Sequence, residues 1–341
     1  KTFLQIIEDA SSYMFGYNHS TGYSMIGYMC GYLRYYYPKE FITAYLNNAN
    51  NDDDITMGTQ LAESMNIKIH PIKFRHSTAK YSCDESGIYK GIESIKFLND
   101  KVADELYDLR GYVFDSFVDL LIKLKELSIN SRQLDILIKL DFFNEFGDIN
   151  LLLKQVDLFG KIYGKKQFKK SKLEDMKIPL DIAEKYAKKV TDKTLTGVDT
   201  NGLLKEMVKN IKYTNVNILD HFTYEKECLG YVTTIQPSAN KRLYYVSDIN
   251  STKYLTTISL YEIYSGKTRQ VKMWTSQYSK DRFEVGQILY IISLEKKNKK
   301  EPTGEINPVT GKRIYKDIPD KFEYWLKKFI IKDDLEEEEC R

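Results

Sequence analysis

Residues 15–41, FGYNHSTGYSMIGYMCGYLRYYYPKEF, join a Gly/Asn/His stretch to an aromatic run that stops at a proline. Tyr23, Ile26, Tyr28, Met29, Tyr32, Leu33 and Tyr36 recur at three- and four-residue steps, which predicts a helix packed on one side and stopped by Tyr37-Pro38. Gly16 to Ser20 then read as a turn at the helix N-terminus, where free backbone N–H groups and the positive end of the helix dipole favour an anion such as phosphate. The plainer reading is an ordinary N-cap with a satisfied histidine, and on local evidence alone it ranks first.

The 341 residues are 42% hydrophobic and 29% charged, enough to bury cores in two or three domains. Lys and Arg number 51 against 48 Asp and Glu, a net charge of +3, so any nucleic-acid surface must be local rather than global. Cys30, Cys83, Cys228 and Cys340 are scattered with no Cys-x-x-Cys pair, which indicates neither a zinc site nor a disulfide framework. Reduced thiols in a cytoplasmic protein are the simpler account. No apolar run is long enough to cross a membrane and no signal peptide precedes Lys1, so no membrane partner is expected.

The 15–41 segment resembles the fingers signature of the α subunit of bacterial DNA polymerase III, the C-family of replicative polymerases, whose pattern runs FNKSHAAAYA, a helix, then YPxEF. Counting back from Tyr37-Pro38-Lys39-Glu40-Phe41, the spacing to Tyr23 agrees, and it sets His19 on the motif histidine, Asn18 on its serine and Arg34 on its helix lysine. Tyr17 and Gly16 stand where the family has lysine and asparagine. The resemblance implies that Asn18, His19, Tyr23 and Arg34 lie near the incoming dNTP and DNA.

The order of later segments is similar to the same family. Asp54 is expected to cap a helix over residues 55–65, ahead of a short strand at Ile67 to His70. Ile88 to Lys96 resembles YGIGAIKGVG, with Lys96 on the motif lysine and Phe97, Leu98 and Asn99 in place of the glycine-bearing turn. Two helical patterns, at 117–124 and 134–140, with Asn130 or Ser131 as cap of the second, lie around SINSRQLDILIKLDFFNEFG, which resembles the family's helix-hairpin-helix. Such hairpins hold DNA through backbone N–H groups and basic side chains on phosphates, which points to Ser131 and Arg132. Asp141 occupies a family glycine position, and a plain packing hairpin is the alternative.

Gln155, Asp157, Leu158 and Phe159 belong to a QxxLF-type peptide like those by which replication proteins engage the sliding clamp; such a peptide needs an exposed, strand-like segment. Residues 149–163 also continue a helical apolar pattern, and a buried helix is the favoured reading there. The lysine-dense run 161–189 reads as a solvated face or linker that marks a boundary, with phosphate neutralisation as its functional alternative. Tyr224 to Tyr231 resembles the family's ERExLG element.

From Arg242 to Ile331 β-branched and aromatic runs alternate with turn signals, which suggests a small barrel similar to the family's oligonucleotide-binding (OB) domain. Tyr254, Lys267, Arg269, Lys272 and Trp274 are the nominated contacts, aromatic rings for bases and cations for the backbone. The polar Pro/Gly stretch 298–321 reads as a long loop of that barrel, and Glu336 to Glu339 as a frayed acidic tail.

The expected fold class is therefore α+β: mainly helical fingers (1–112), a helix-hairpin-helix and clamp-binding region with a basic linker (113–223), and an OB-type barrel (224–335). The resemblance implies a DNA-handling part of a replicative polymerase that grips primer-template and single-stranded DNA, meets the sliding clamp, and works beside a palm whose carboxylates hold Mg2+. No cofactor, metal ligand or catalytic residue is assigned to this segment, and the chain reads as a fragment or split gene product. Its 27 tyrosines and many Asn and Lys residues suggest an AT-rich genome, of a phage or a low-GC bacterium. A stand-alone single-strand-binding adaptor, or a packing scaffold without nucleic-acid affinity, are the competing classes.

Overall fold

The computed structural model describes residues 2–11, 16–306, 313–332 and 335, so Phe15, Cys340 and the acidic run 336–339 lie outside the described residues. Two compact units divide the chain, Lys1–Lys212 and Tyr213–Arg341.

The first unit opens with helices α1 (Thr2–Ser11), α2 (Tyr17–Tyr36), α3 (Pro38–Asn47) and α4 (Asp52–Ser64). Pro38 excludes helical dihedrals from the residue before it, so Tyr37 (φ −133°, ψ 55°) ends α2 while Pro38 starts α3. Two expectations are corrected here. α2 buries none of its residues, so its aromatic spacing does not mark a packed face. Gly16 to Ser20 form no separate turn either, because Tyr17 is already helical and Gly16 is the N-cap, without a side-chain hydrogen bond. The cap of α4 is Asn51, whose side chain accepts from the Asp54 N–H, while Asp54 accepts from the Asn50 N–H at 3.1 Å.

Ile42 and Leu46 of α3 and Ala62 of α4 form a core with Ile88. Ile88 comes from a small sheet, β1 (Ile69–His70), β2 (Ser82–Asp84) and β3 (Gly87–Tyr89), in the order β1-β3-β2 with β1 and β3 parallel. Helices α5 (Asp100–Asp108), α6 (Phe117–Leu124), α7 (Ser131–Lys139) and α8 (Ile149–Ile162) follow. Their inner faces are buried in earnest: Phe117, Leu120, Leu121, Leu137, Ile138, Leu152 and Ile162 are at most 2% exposed. Arg75 ties this region to the loops around it, donating to both carboxylate oxygens of Glu145 and to the carbonyls of Arg110 and Tyr112.

The lysine-dense run is not a linker. It folds as β4 (Gln167–Lys169), α9 (Lys170–Asp175), α10 (Leu180–Lys185) and β5 (Ala187–Val190), completed by β6 (Thr194–Val198) and α11 (Thr200–Lys209), with Phe168, Leu173, Ile178 and Leu195 buried. Lysines occupy the wet face because the apolar residues between them recur at element spacing.

The second unit begins with α12 (Ile218–Leu229), ended by Gly230 at φ +87°, a left-handed cap that glycine adopts without a Cβ penalty. Glu225, the first acid of the ERExLG-like element, is 5% exposed and accepts from the backbone N–H groups and hydroxyls of both Thr233 and Thr234. This satisfied carboxylate pins the chain entering the barrel to α12.

The barrel is closed by β7 (Leu243–Ser251), β8 (Leu255–Glu262), β9 (Thr268–Trp274), β10 (Ile288–Ile306) and β11 (Arg313–Lys332), with the short α13 (Thr275–Tyr278) between β9 and β10. Neighbours run β10-β11-β9-β8-β7, with β9 and β11 parallel and the other pairs antiparallel, an arrangement consistent with an OB-like fold. Val246, Ile258, Leu260, Val271, Met273, Phe283 and Leu289 fill it. The expected loop 298–321 is corrected: 298–306 and 313–321 are strand, a continuation of β10 and β11 that projects as a two-stranded ribbon. The chain is thus α+β, mainly helical first and β-barrel second.

Candidate nucleic-acid interfaces

In the first unit, the residues replacing the family's glycine-bearing turn lie against the hairpin. Phe97 adopts φ +74°, a left-handed conformation rare for an aromatic residue, and is 47% exposed. Its carbonyl accepts from Gln133 Nε2 at 3.0 Å, and Gln133 Oε1 accepts from the Asn130 N–H, completing a capping box at the start of α7. The Arg132 guanidinium lies 3.5 Å from the centroid of the Phe97 ring and Lys96 Nζ lies 5.2 Å from it. Lys96 and Arg132, nominated from segments some 36 residues apart, therefore meet on one aromatic ring that the sequence did not single out. The available signal was its place: a bulky residue where a glycine-bearing turn was expected.

The hairpin turn survives the aspartate at its glycine position. Asp141 takes φ +59°, its N–H donates to the Ile138 carbonyl and that of Phe142 to Leu137, the paired bonds of a Schellman cap, with buried Phe142 as the apolar seal. Ser131 and Arg132 stand exposed at the first turn of α7. Asn18, His19, Tyr23 and Arg34 lie on the exposed α2, with His19 edge-on to Tyr23 at 6.1 Å.

At Gln155 to Phe159 the structure has the buried helix favoured from the sequence, not an exposed peptide. Residues 155–159 are helical within α8, Gln155 and Phe159 are each 4% exposed, and Phe159 stacks on Tyr163 at 4.4 Å. Asp157 is ion-paired with Lys161, and Leu158 is half-buried. An extended segment with two free anchors is not formed there, because the same apolar residues satisfy the core.

In the second unit the nominated residues divide. Register pairs Trp274 with Leu255, and the Thr275 N–H donates to the Tyr254 carbonyl, so Tyr254 and Trp274 share one end of the β8–β9 hairpin, whereas Lys267 is in the turn at the other end. Arg269 is drawn toward Tyr324, 4.9 Å from its ring centroid. Lys272 and Trp274 share strand parity opposite to buried Val271 and Met273, which directs them outward. Trp274 packs on Trp325 with centroids 4.8 Å apart, and Lys297 Nζ lies 4.6 Å from the Trp325 ring. Lys272 is paired with Glu323 at 2.5 Å, and Trp325 Nε1 donates to the other oxygen of that carboxylate at 2.7 Å. Burial alone would raise the Glu323 pKa; Lys272 and the indole N–H outweigh it and hold the group below the usual carboxylate range. The two tryptophans, two lysines and one glutamate thus make an aromatic, cation-bearing face in which both cations are already engaged, Lys272 by Glu323 and Lys297 by Glu295 at 3.4 Å.

The helix-hairpin-helix motif family matches residues 66–150, the stretch that contains Phe97, the capping box and the Schellman turn. The α subunit of DNA polymerase III from Treponema pallidum is 30% identical over 146 residues, and that from Campylobacter jejuni 32% over 149. The chain is similar to part of the DNA polymerase III α subunit. The homologous α subunit of Rickettsia bellii matches more of it, 26% identical over 267 residues, or 70% of this chain. These matches span 12% to 21% of the polymerase subunits' own lengths. Against this polymerase background, two further properties bear on the site. No helix among the described residues is long and apolar enough to cross a membrane. No group of three or more His, Cys, Asp or Glu side chains among the described residues is arranged to hold a metal ion.

Proposed function

We propose that this chain is a DNA-handling segment of a C-family replicative polymerase, working in the cytoplasm. The hairpin unit contacts the phosphates of primer-template DNA, and the barrel holds single-stranded template on the face built by Tyr254, Trp274 and Trp325. The observation that carries this reading is the half-exposed Trp274, backed by Trp325 and flanked by Lys297 and Lys272. Exposed aromatic rings stack any base, and adjacent cations follow the backbone, which suits a protein that must move along DNA without reading it. Phosphoryl transfer belongs, in this proposal, to palm carboxylates and Mg2+ outside residues 1–341, and the exposed α2 serves the incoming dNTP. Contact with the sliding clamp, if made through Gln155 to Phe159, requires α8 to give up that part of its packing.

Titrating the chain with a fluorescent single strand at several salt concentrations tests the reading. Trp274→Ala should weaken binding by about 1 to 3 kcal/mol. Glu323→Gln should strengthen it several-fold, about 1 kcal/mol, because it releases the Lys272 charge for a phosphate, and the gain should shrink as salt rises. Unchanged affinity in both variants would remove this face from the function.

A further inference from the structure

Phe97 carries an inference that rests on the DNA-binding reading and goes beyond it. A left-handed conformation is unfavourable for a residue with a Cβ, and glycine would avoid that cost. A large apolar ring that is half exposed returns little of that through burial. The surroundings nevertheless over-determine the turn. Gln133 holds the Phe97 carbonyl, Leu98 anchors the next residue in the core, and the Asn99 side chain caps α5 by accepting from the Val102 N–H. The fold thus fixes an aromatic ring at the surface, and Arg132 and Lys96 both lie against it. Among the described residues neither cation is ion-paired with a carboxylate, so both charges are open to an anion.

We propose that Phe97, Arg132 and Lys96 form a nucleotide platform: an unpaired base stacks on the Phe97–Arg132 pair and the adjoining phosphate meets Lys96. The ligand class is single-stranded DNA or the unpaired end of a primer-template. Aromatic rings and guanidinium planes both stack bases without regard to sequence, and a lysine supplies the point charge a phosphate needs. Because Gln133 belongs to the capping box of α7, the platform is built into the hairpin and moves with it.

The test uses the full chain and a DNA strand carrying 2-aminopurine, whose fluorescence is quenched on stacking. Phe97→Gly removes the ring and relieves the backbone, so the variant should melt no lower than the parent while its single-strand affinity falls about fivefold or more. Phe97→Tyr should retain affinity. Arg132→Gln should lower affinity and flatten the salt dependence. Parent-like affinity and quenching in Phe97→Gly, with Trp274→Ala still impaired, would overturn the platform and leave the barrel reading standing. Absence of binding by the parent chain at low salt would overturn both.

Discussion

Helices α2 and α7 both carry apolar residues at three- and four-residue steps, spread around α2 and gathered on one side of α7, and they meet opposite fates. α2 carries the most specific sequence signature in the molecule, yet Tyr23, Tyr28, Tyr32 and Tyr36 are all exposed and its N-cap lacks a side-chain bond. α7 lies in a segment of looser resemblance, yet it buries Ile136, Leu137 and Ile138 and starts with a full capping box. The contrast teaches that a signature identifies ancestry, whereas burial is decided by which neighbouring segments supply an opposing face. Tyr also tolerates water better than Leu or Ile, so a tyrosine-rich helix can stand in solvent where a leucine-rich one could not.

The most severe test of the contrast is a pair of truncations read by urea unfolding. Leu137→Ala should cost about 2 to 5 kcal/mol by opening a cavity in the hairpin core, while Tyr28→Ala should change stability by less than about 0.5 kcal/mol. Similar losses in both would show that α2 is packed in solution and dissolve the comparison. A finer cut is Gln133→Ala, which removes one arm of the capping box and the donor to Phe97; about 1 to 2 kcal/mol of destabilisation is expected in the same unfolding experiment. No cost there would mean that α7 needs its cap no more than α2 does.

The smallest effect concerns Asp119, which ties α6 to α11 through Lys205 at 2.7 Å and accepts from Ser116 Oγ at 2.7 Å. Burial pushes its pKa up, but Lys205 and Ser116 outweigh this and leave it below the ordinary carboxylate value. The folded state therefore favours the ionised form. The stability this supplies is present above the unfolded pKa and disappears as pH falls through the folded one. Asp119→Asn should cost at most about 1 kcal/mol at neutral pH, and the gap from the parent should close as pH falls below the ordinary carboxylate range. A pH-independent gap would assign the loss to packing.

The α+β class, the hairpin and the barrel were legible because each is written in local period: 3.6 for Phe117 to Leu140, two for Leu255 to Trp274. What escaped was set by distant partners. Gln155 and Phe159 match a peptide motif as well as the favoured buried helix, and it is the neighbouring helices that bury them. Lysines at 165–189 mask an apolar set, Phe168, Leu173 and Ile178, that forms a small core. Residues 298–306 and 313–321 look like loop because Lys, Pro, Gly and Asp dominate, but a strand wet on both faces needs only a partner of equal length. For the site, Lys96 and Arg132 were visible singly; their meeting on Phe97 depends on a turn geometry that composition does not encode.

That ribbon has a consequence for how the barrel comes apart. Among the described residues β10 registers with β7 only at Ile288 to Tyr290, and β11 with β9 only at Tyr324 and Trp325, so the outer parts of both strands pair with each other alone. A lone pair of strands is marginally stable in water. Amide hydrogens near Pro302 and Tyr315 should thus exchange orders of magnitude faster than those near Leu289 and Leu326, although all belong to the same two strands. One hairpin then melts like a zipper from its far end while its base stays shut, so that its reach changes with temperature before the barrel itself yields.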